Sequence, residues 1–312
     1  MKRKLLSFII PAYNEEACVD PLYERLSSVF LELTPNYACE AIIVENASTD
    51  ATYDKLMQIH QRDSRFKILK LARNVGTDGG MTAGLAYAKG DAAILLCSDL
   101  EDPPELVLEF VKKWEEGFHN VYGITGRRPN GWLRSINSEL FYWIINKMTG
   151  GMIPRNASDF RLMDRKLYTV LTQMKEHNRF LRGMVAWTGF RSCGIPYHRG
   201  DRAGGESKAY TIAVLQFALR SVLSFSFAPL RFSTFLGLLL SSLSFLAIAT
   251  LTVKFLLFGV PFPGYGSIMC LILLLFGFLF LVLGIMSEYL GMIFEEVKSR
   301  PLFVVEEEVG LQ

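Results

Sequence analysis

A chain of 312 residues has room for one large or two small soluble domains, yet half of it is hydrophobic and its mean hydropathy is positive, more than a soluble enzyme carries. A net charge of +2 with no basic run offers no nucleic-acid arm, so nucleic acid is not an expected partner. Five cysteines, Cys18, Cys39, Cys97, Cys193 and Cys270, show no CxxC pairing, which fits a reducing compartment and no zinc site.

The first segment, MKRKLLSFIIPAYNEE, starts basic, but its apolar run is too short for a signal peptide and turns polar at once, so it reads as a strand. From Leu5 to Gly126 short apolar runs alternate with amphipathic segments: LLSFII then Glu16–Leu33, CEAIIV then Asp50–Gln61, FKILKL then Gly79–Ala88, AAILLC then Pro103–Glu116, and VYGITG. The alternation predicts an α/β domain with a mostly parallel sheet covered on both faces, its ligands along the strands' C-terminal edge.

That edge would carry Pro11, Tyr13, Asn14 and Glu15 after the first strand, Glu45, Asn46 and Asp50 after the second, and Arg73 and Asn74 after the third. An aromatic ring with carboxylates and amides suits a base and ribose. The fourth run, ILLCSDLEDPPE, ends in Asp99, Glu101 and Asp102, an acidic cluster suited to a metal-dependent transferase. Asp50 also fits a helix N-cap, and Asp102-Pro103-Pro104-Glu105 reads as a capping box in all but its Asp. No GxGxxG follows the first strand, which weakens a dehydrogenase reading. In the near-miss to a phosphate loop, GDRAGGES at Gly200–Ser207, Glu206 stands where a Lys is required, which excludes an ATPase.

After Gly126 the strict alternation stops. Trp132–Met148 has helical apolar spacing and fits either a core helix or an interfacial one, and Tyr210–Phe227 is a second such segment. Between them lie Asp159, Phe160, Arg161 and Asp164, the pairs Arg179/Arg182 and Arg199/Arg202, and Gly204–Lys208. Arg165 and Lys166 read as a solvated face. Glycines beside Arg202, Ser207 and Lys208 suit an anion site, because they let backbone amides approach phosphate. Ser233–Val253 and Ser267–Met286 are each free of formal charge and long enough for a ~30 Å hydrocarbon core. Arg220 and Arg231 precede the first, Lys298 and Arg300 follow the second, and only Lys254 lies between, which puts both termini in the cytoplasm. The expected organisation is a catalytic domain over 1–228, two transmembrane helices within 229–290 (233–257 and 267–288), and a cytoplasmic C-terminal tail over 291–312.

Taken together, PAYNEE, VENASTD, RNVG, SDLEDPPE, ASDFRLMDRK, RFLRGMVAWTGF, RAGGESK and the C-terminal hairpin resemble the polyprenyl-phosphate glycosyltransferases of glycosyltransferase family 2, over residues 5–295. The resemblance implies a GT-A fold in the cytoplasmic membrane that transfers a hexosyl group, with inversion and with Mg²⁺ or Mn²⁺, from a nucleotide-sugar to a polyprenyl phosphate such as undecaprenyl phosphate. It implies Pro11, Tyr13, Glu15 and Asn46 on base and ribose, Asp99 as metal ligand with Glu101 as a second, and Asp159 as the base. Glu45, Arg73, Arg127, Arg202, Ser207 and Lys208 join the substrate contacts, and Arg161 is grouped with Asp159. UDP-glucose or another UDP-hexose is the implied donor, because DFRLMDR is closer to the lipid-linked glucosyltransferase pattern; self-association is left open. Two positions depart from the family: Cys97 stands where the first Asp of Asp-x-Asp is usual, and Glu45 and Asn46 stand where two acids are common. Neutral thiols are poor ligands for hard cations.

Three rivals stand beside this reading. A membrane scaffold that has lost catalysis is suggested by Cys97. A processive polysaccharide synthase lacks here its Gln-x-x-Arg-Trp element and enough spans, and a flippase would leave a large soluble domain unexplained.

Overall fold

The computed structural model describes residues 3–126, 154, 156–200, 228–258 and 264–311. Four apolar runs form the strands predicted for them: β1 (Lys4–Ala12), β2 (Tyr37–Glu45), β3 (Phe66–Leu71) and β4 (Ala92–Leu95). β1 lies parallel between β2 and β4, and β3 continues the parallel set beyond β2. Strands enclosed on both faces read as continuous apolar runs, which is why LLSFII, AIIV and AAIL were legible. The register Lys4↔Tyr37 through Ala12↔Glu45 brings the ends of β1 and β2 level, so both feed one edge.

The intervening helices are α1 (Val19–Leu33), α2 (Thr52–Arg62), α3 (Gly76–Tyr87) and, after a 3₁₀ turn at Pro104–Leu106, α4 (Val107–Glu115). Leu22, Leu26, Val29, Phe30 and Leu33 bury one face of α1, the i, i+4, i+7 spacing of an amphipathic helix. α3 lies hard against the sheet because Gly84 carries no side chain: a Cβ there would come 2.3 Å from Ile9 Cγ2 and 3.0 Å from Val44 Cγ2.

The fifth strand predicted, VYGITG, also forms, and beyond Gly126, where the sequence predicted no strands, the sheet continues. β5 (Asn120–Thr125), β6 (Ala157–Asp164) and β7 (Ser192–Tyr197) complete one side in the order β7-β5-β6-β4-β1-β2-β3-β8. β6 is antiparallel to both β4 and β5. Its register, Leu95↔Arg161, brings Asp159 beside the acidic turn that follows β4. Two more helices, α5 (Arg165–Gln173) and α6 (Leu181–Trp187), follow β6.

The chain divides into two compact units, Met1–Ala218 with Arg300–Gln312, and Leu219–Ser299. The second contains the long helices α7 (Ala228–Phe258) and α8 (Tyr265–Lys298). Both predicted spans are helical over their described residues. Among the described residues one stretch, Leu274–Lys298, is long and apolar enough to cross a membrane, with mean hydropathy 1.9 and 6% of it buried.

The stretch after residue 290, expected as a C-terminal tail, carries regular structure. α8 runs on to Lys298, and Val305–Val309 joins the sheet as β8, antiparallel to β3. Three consecutive glutamates hide this strand from a hydropathy reading, and each has a partner in the fold. Glu306 pairs with Lys70 at 2.7 Å, Glu307 accepts from Tyr53 at 2.6 Å, and Glu308 accepts from Tyr87 at 2.7 Å.

Candidate active site

The loops after β1 and β2 brace one another. Asn14 Oδ1 accepts from Thr49 N at 2.7 Å, its own N–H donates to Ser48 Oγ at 3.0 Å, and Glu15 N donates to Thr52 Oγ1 at 2.9 Å. Asp50 accepts from Thr52 N at 3.0 Å, so the helix-start role read for it is present one residue ahead of the cap position Ala51. Burial raises its carboxyl, but bonds from Thr52 and Glu16 N leave it below the usual carboxylate range. Glu45 and Asn46 are both buried. Glu45 Oε1 accepts from Ser48 N at 2.5 Å, while Asn46 ties β2 to the start of α3 through Val75 N at 2.9 Å and Gly76 O at 3.1 Å. Pro11 is buried under α3, where a Cβ on Gly80 would lie 3.0 Å from its Cβ. These three positions thus brace the ends of β1 and β2 and the start of α3 through packing and hydrogen bonds. Tyr13 and Glu15 are half-buried at the edge, and Arg73 is exposed.

Past β4 the three acids separate. Asp99 is half-buried, and its Oδ1 accepts from Glu101 N at 3.2 Å. Glu101 Oε2 lies 3.3 Å from Arg199 Nη1. Asp102, 1% exposed, is not the cap of the next helix: Arg199 Nε donates to its Oδ1 at 2.9 Å and Tyr197 Oη donates to the same oxygen. The turn's cap position is Pro103, without a side-chain bond, and Glu105 reaches Arg25 at 2.6 Å instead. Burial pushes the Asp102 carboxyl above its ordinary range, more than Arg199 and Tyr197 pull it down. Tyr197, pushed up to about 12 by burial and by Asp102, stays a donor at neutral pH.

Across from this turn, Arg182 of α6 forks onto Asp159, Nε at 2.6 Å from Oδ1 and Nη2 on Oδ2. Burial alone would raise the Asp159 carboxyl, but Arg182, with Arg161 and Arg199, holds it below the usual range. Arg161 is 3% exposed and donates to Ser158 O at 2.8 Å. Burial drags its guanidinium down to about 10, still charged at neutral pH. Asp78, in the first turn of α3, belongs to the same cluster: burial and Asp159 push its carboxyl up to about 7, against the pull of Arg182 and Arg161.

A divalent cation fits this site only with help from substrate. Cys97 is a neutral thiol, pushed well up by burial and then by Asp99, Asp102 and Asp159. Among the described residues no three His, Cys, Asp or Glu side chains are grouped closely enough to hold an ion. Asp99 supplies a hard oxygen, and Mg²⁺ commonly binds through one or two carboxylates plus substrate phosphates.

The fold therefore brings Asp99, Glu101, Asp159 and Arg161 together at one edge. Arg127, Arg202, Ser207 and Lys208 lie outside the described residues, as do the segments Trp132–Met148 and Tyr210–Phe227. Asp78, Arg182, Tyr197 and Arg199 complete the cluster without having been singled out. Arg182 and Arg199 were visible only as polar pairs, and Asp78 only as an acid after RNVG.

Residues 7–172 match the family described as Glycosyl transferase family 2. Over 308 residues, 98% of this chain and 96% of the relative, the chain is 40% identical to an uncharacterized glycosyltransferase of Synechocystis sp.. Over 301 residues, 96% of this chain and 97% of the relative, it is 34% identical to the SfII prophage-derived bactoprenol glucosyl transferase of Shigella flexneri. Among solved structures it is similar to glucosyl-3-phosphoglycerate synthase from Mycobacterium tuberculosis, with a TM-score of 0.49 and 17% identity over 72% of this chain and 80% of that one. The chain is a glycosyltransferase and belongs to glycosyltransferase family 2.

Proposed function

We propose that this enzyme transfers a hexosyl group, with inversion, from a nucleotide-sugar to a polyprenyl phosphate at a membrane, with UDP-glucose as the first donor to test and undecaprenyl phosphate as the first acceptor. The observation that carries this is the gathering of Arg161, Arg182 and Arg199 around Asp159 and Asp102, beside Asp99. Transfer between two phosphorylated substrates is above all a problem of charge, and fixed guanidiniums at the reacting edge address it. A relative named for bactoprenol glucosyl transfer, 34% identical over 96% of this chain, supports the lipid acceptor.

A lipid monophosphate has a second pKa near 6 and is mostly dianionic at pH 7, so it needs little deprotonation. Asp159, held ionised on Arg182, then orients that arginine more than it takes a proton. A divalent cation on Asp99 and the donor diphosphate would take up leaving-group charge. α7 and α8 are read as a transmembrane pair in the cytoplasmic membrane with the catalytic unit on the cytoplasmic face, supported by the exposed apolar stretch Leu274–Lys298 and by the basic residues flanking the predicted spans.

The test is a panel of nucleotide-sugars offered to the purified full chain with undecaprenyl phosphate and Mg²⁺ or Mn²⁺, with products identified by mass. A hexosyl prenyl phosphate is expected. Donor turnover that yields only polymer, or no metal-dependent turnover with any donor, overturns the reading in favour of a polymerising synthase or a scaffold respectively.

A further inference from the structure

β7 ends where two separate parts of the site meet. Its last residue, Tyr197, is buried, and the hydroxyl donates to Asp102 of the acidic turn. The same oxygen lies 3.1 Å from Oγ of Ser158, the residue before Asp159 on β6. A phenol carries one hydrogen, so the second bond runs from the serine to the tyrosine. We infer that Tyr197 is a positioning residue for transfer: its hydroxyl sets the spacing between the turn that carries Asp99 and the strand that carries Asp159. The inference rests on the proposed reading of Asp99 as the metal carboxylate and adds what holds that carboxylate in place.

Three observations point this way. The first is that the acidic turn draws its support from elsewhere in the chain. Leu100, between Asp99 and Glu101, has φ +58°, a left-handed backbone that side chains disfavour, and the cap position Pro103 adds no side-chain bond. The end of β7 and the residues after it hold the turn instead: Gly200 N donates to Glu101 O at 2.8 Å, and Arg199 Nε to Asp102 Oδ1 at 2.9 Å. The second is that the tyrosine ring has a built seat. Gly123 of β5 leaves room for it, since a Cβ there would lie 2.4 Å from Tyr197 Cε1, and Phe160 meets it edge-on at 6.0 Å between centroids. A hydroxyl on a ring locked by packing is a fixed spacer. The third is that the far end of the bridge is also held. Ser158 Oγ accepts from Phe160 N at 3.2 Å and from Arg199 Nη2 at 3.3 Å. Groups fixed behind a metal ligand in this way govern how the ligand is presented.

Tyr197→Phe removes the hydroxyl and keeps the ring. In the purified full chain with UDP, the Mn²⁺ concentration for half-maximal binding, read from the electron paramagnetic resonance of the free ion, should rise about tenfold. In transfer assays kcat should fall while KM for undecaprenyl phosphate stays within about twofold, and the thermal midpoint should move by only a few degrees. Tyr168→Phe is the control: its hydroxyl donates to Gly90 O at 2.5 Å, at the other end of β4, and its loss should leave Mn²⁺ binding within about twofold. Unchanged Mn²⁺ binding in Tyr197→Phe, or an equal change in Tyr168→Phe, overturns the inference. Should Tyr197→Phe fail to fold, Ser158→Ala decides, because it cuts the other bond of the bridge: Mn²⁺ binding weakened severalfold supports the inference, and unchanged binding overturns it. A wild type that binds Mn²⁺ with UDP but transfers sugar to no prenyl phosphate would sink the acceptor reading and leave the role of Tyr197 standing. Transfer by a wild type that binds no Mn²⁺ with UDP or GDP would sink the metal reading and this inference with it.

Discussion

Asp159 and Arg182 meet in a two-point fork, 2.6 Å between Nε and Oδ1 with Nη2 on the second oxygen, across 23 residues of chain. Both oxygens of the carboxylate that the family resemblance marks as the base are thus bonded to a guanidinium. Asp159→Asn keeps the shape but weakens the hold on Arg182, and we expect turnover to fall about 10²-fold, the scale of a misplaced catalytic group. The acid limb of the pH–rate profile should stay near 6 in both proteins, following the acceptor phosphate. A limb present in the wild type and absent from the variant would restore Asp159 as the base. The pair itself should not make stability vary between pH 6 and 8. Its carboxyl is depressed in the folded state, so its contribution is complete above the ordinary value of about 3.9 and is lost only as pH falls through the lower folded value.

Asp99 and Glu101 should part company in mutants. Asp99→Ala is expected to abolish transfer while the thermal midpoint stays within a few degrees. Glu101→Gln keeps a bond to Arg199 within reach and should lower kcat by about tenfold or less, on the general rule that a rim contact with a half-exposed partner is worth about 1 kcal/mol. Activity titrated against Mg²⁺ and Mn²⁺ checks both: a lost metal response in Glu101→Gln equal to that in Asp99→Ala would make Glu101 a full ligand.

Removing Arg199 would leave Asp102 buried beside Tyr197 with no other cation bonded to it among the described residues. Arg199→Ala should cost about 3 kcal/mol at pH 8, as truncating one member of a buried pair does. The penalty should shrink as pH falls, because a carboxyl already raised by burial takes up its proton early and the charge disappears. Melting the variant and wild type at pH 5 and pH 8 tests this, and a gap independent of pH would mean that lost packing, not charge, sets the cost.

Gly310 follows β8 with φ +72°, and a Cβ there would lie 2.7 Å from His60 Cε1. Gly310→Ala should destabilise the catalytic unit by more than about 1 kcal/mol. Hydrogen exchange should show β3 amides opening faster in that variant, with β1 and β4 unchanged. Uniform loss of protection across all strands would mean that β8 is held by the whole sheet and not by its own edge.

The first four strands could be read because enclosed parallel strands write themselves as apolar runs, and the edge residues after them follow from topology. β6 was hidden because charged residues interrupt its apolar pattern: ASDFRLMD puts Asp159 and Arg161 on one face and Ser158, Phe160 and Leu162 on the other, yet Arg161 is buried like its neighbours. The acids of the β4 turn were visible as a group, but their division of labour was not. Asp102 meets Tyr197 and Arg199 across 95 and 97 residues, and no local pattern announces a partner that far away. The same holds for Arg182, whose helix has seven residues and little periodicity to show.

The placement of β8 ties assembly to the order of synthesis. β3 has β2 on one side from early on, but its other edge waits for residues 305–309, which follow α8 in the chain. Until then the sheet presents an open row of amides and carbonyls, the kind of edge that invites pairing with another chain. Catalytic units from neighbouring nascent chains would thus be most exposed to mispairing while α7 and α8 are still being made, and a ribosome that stalls in α8 would leave a glycosyltransferase whose β3 edge lacks its glutamate-rich cover.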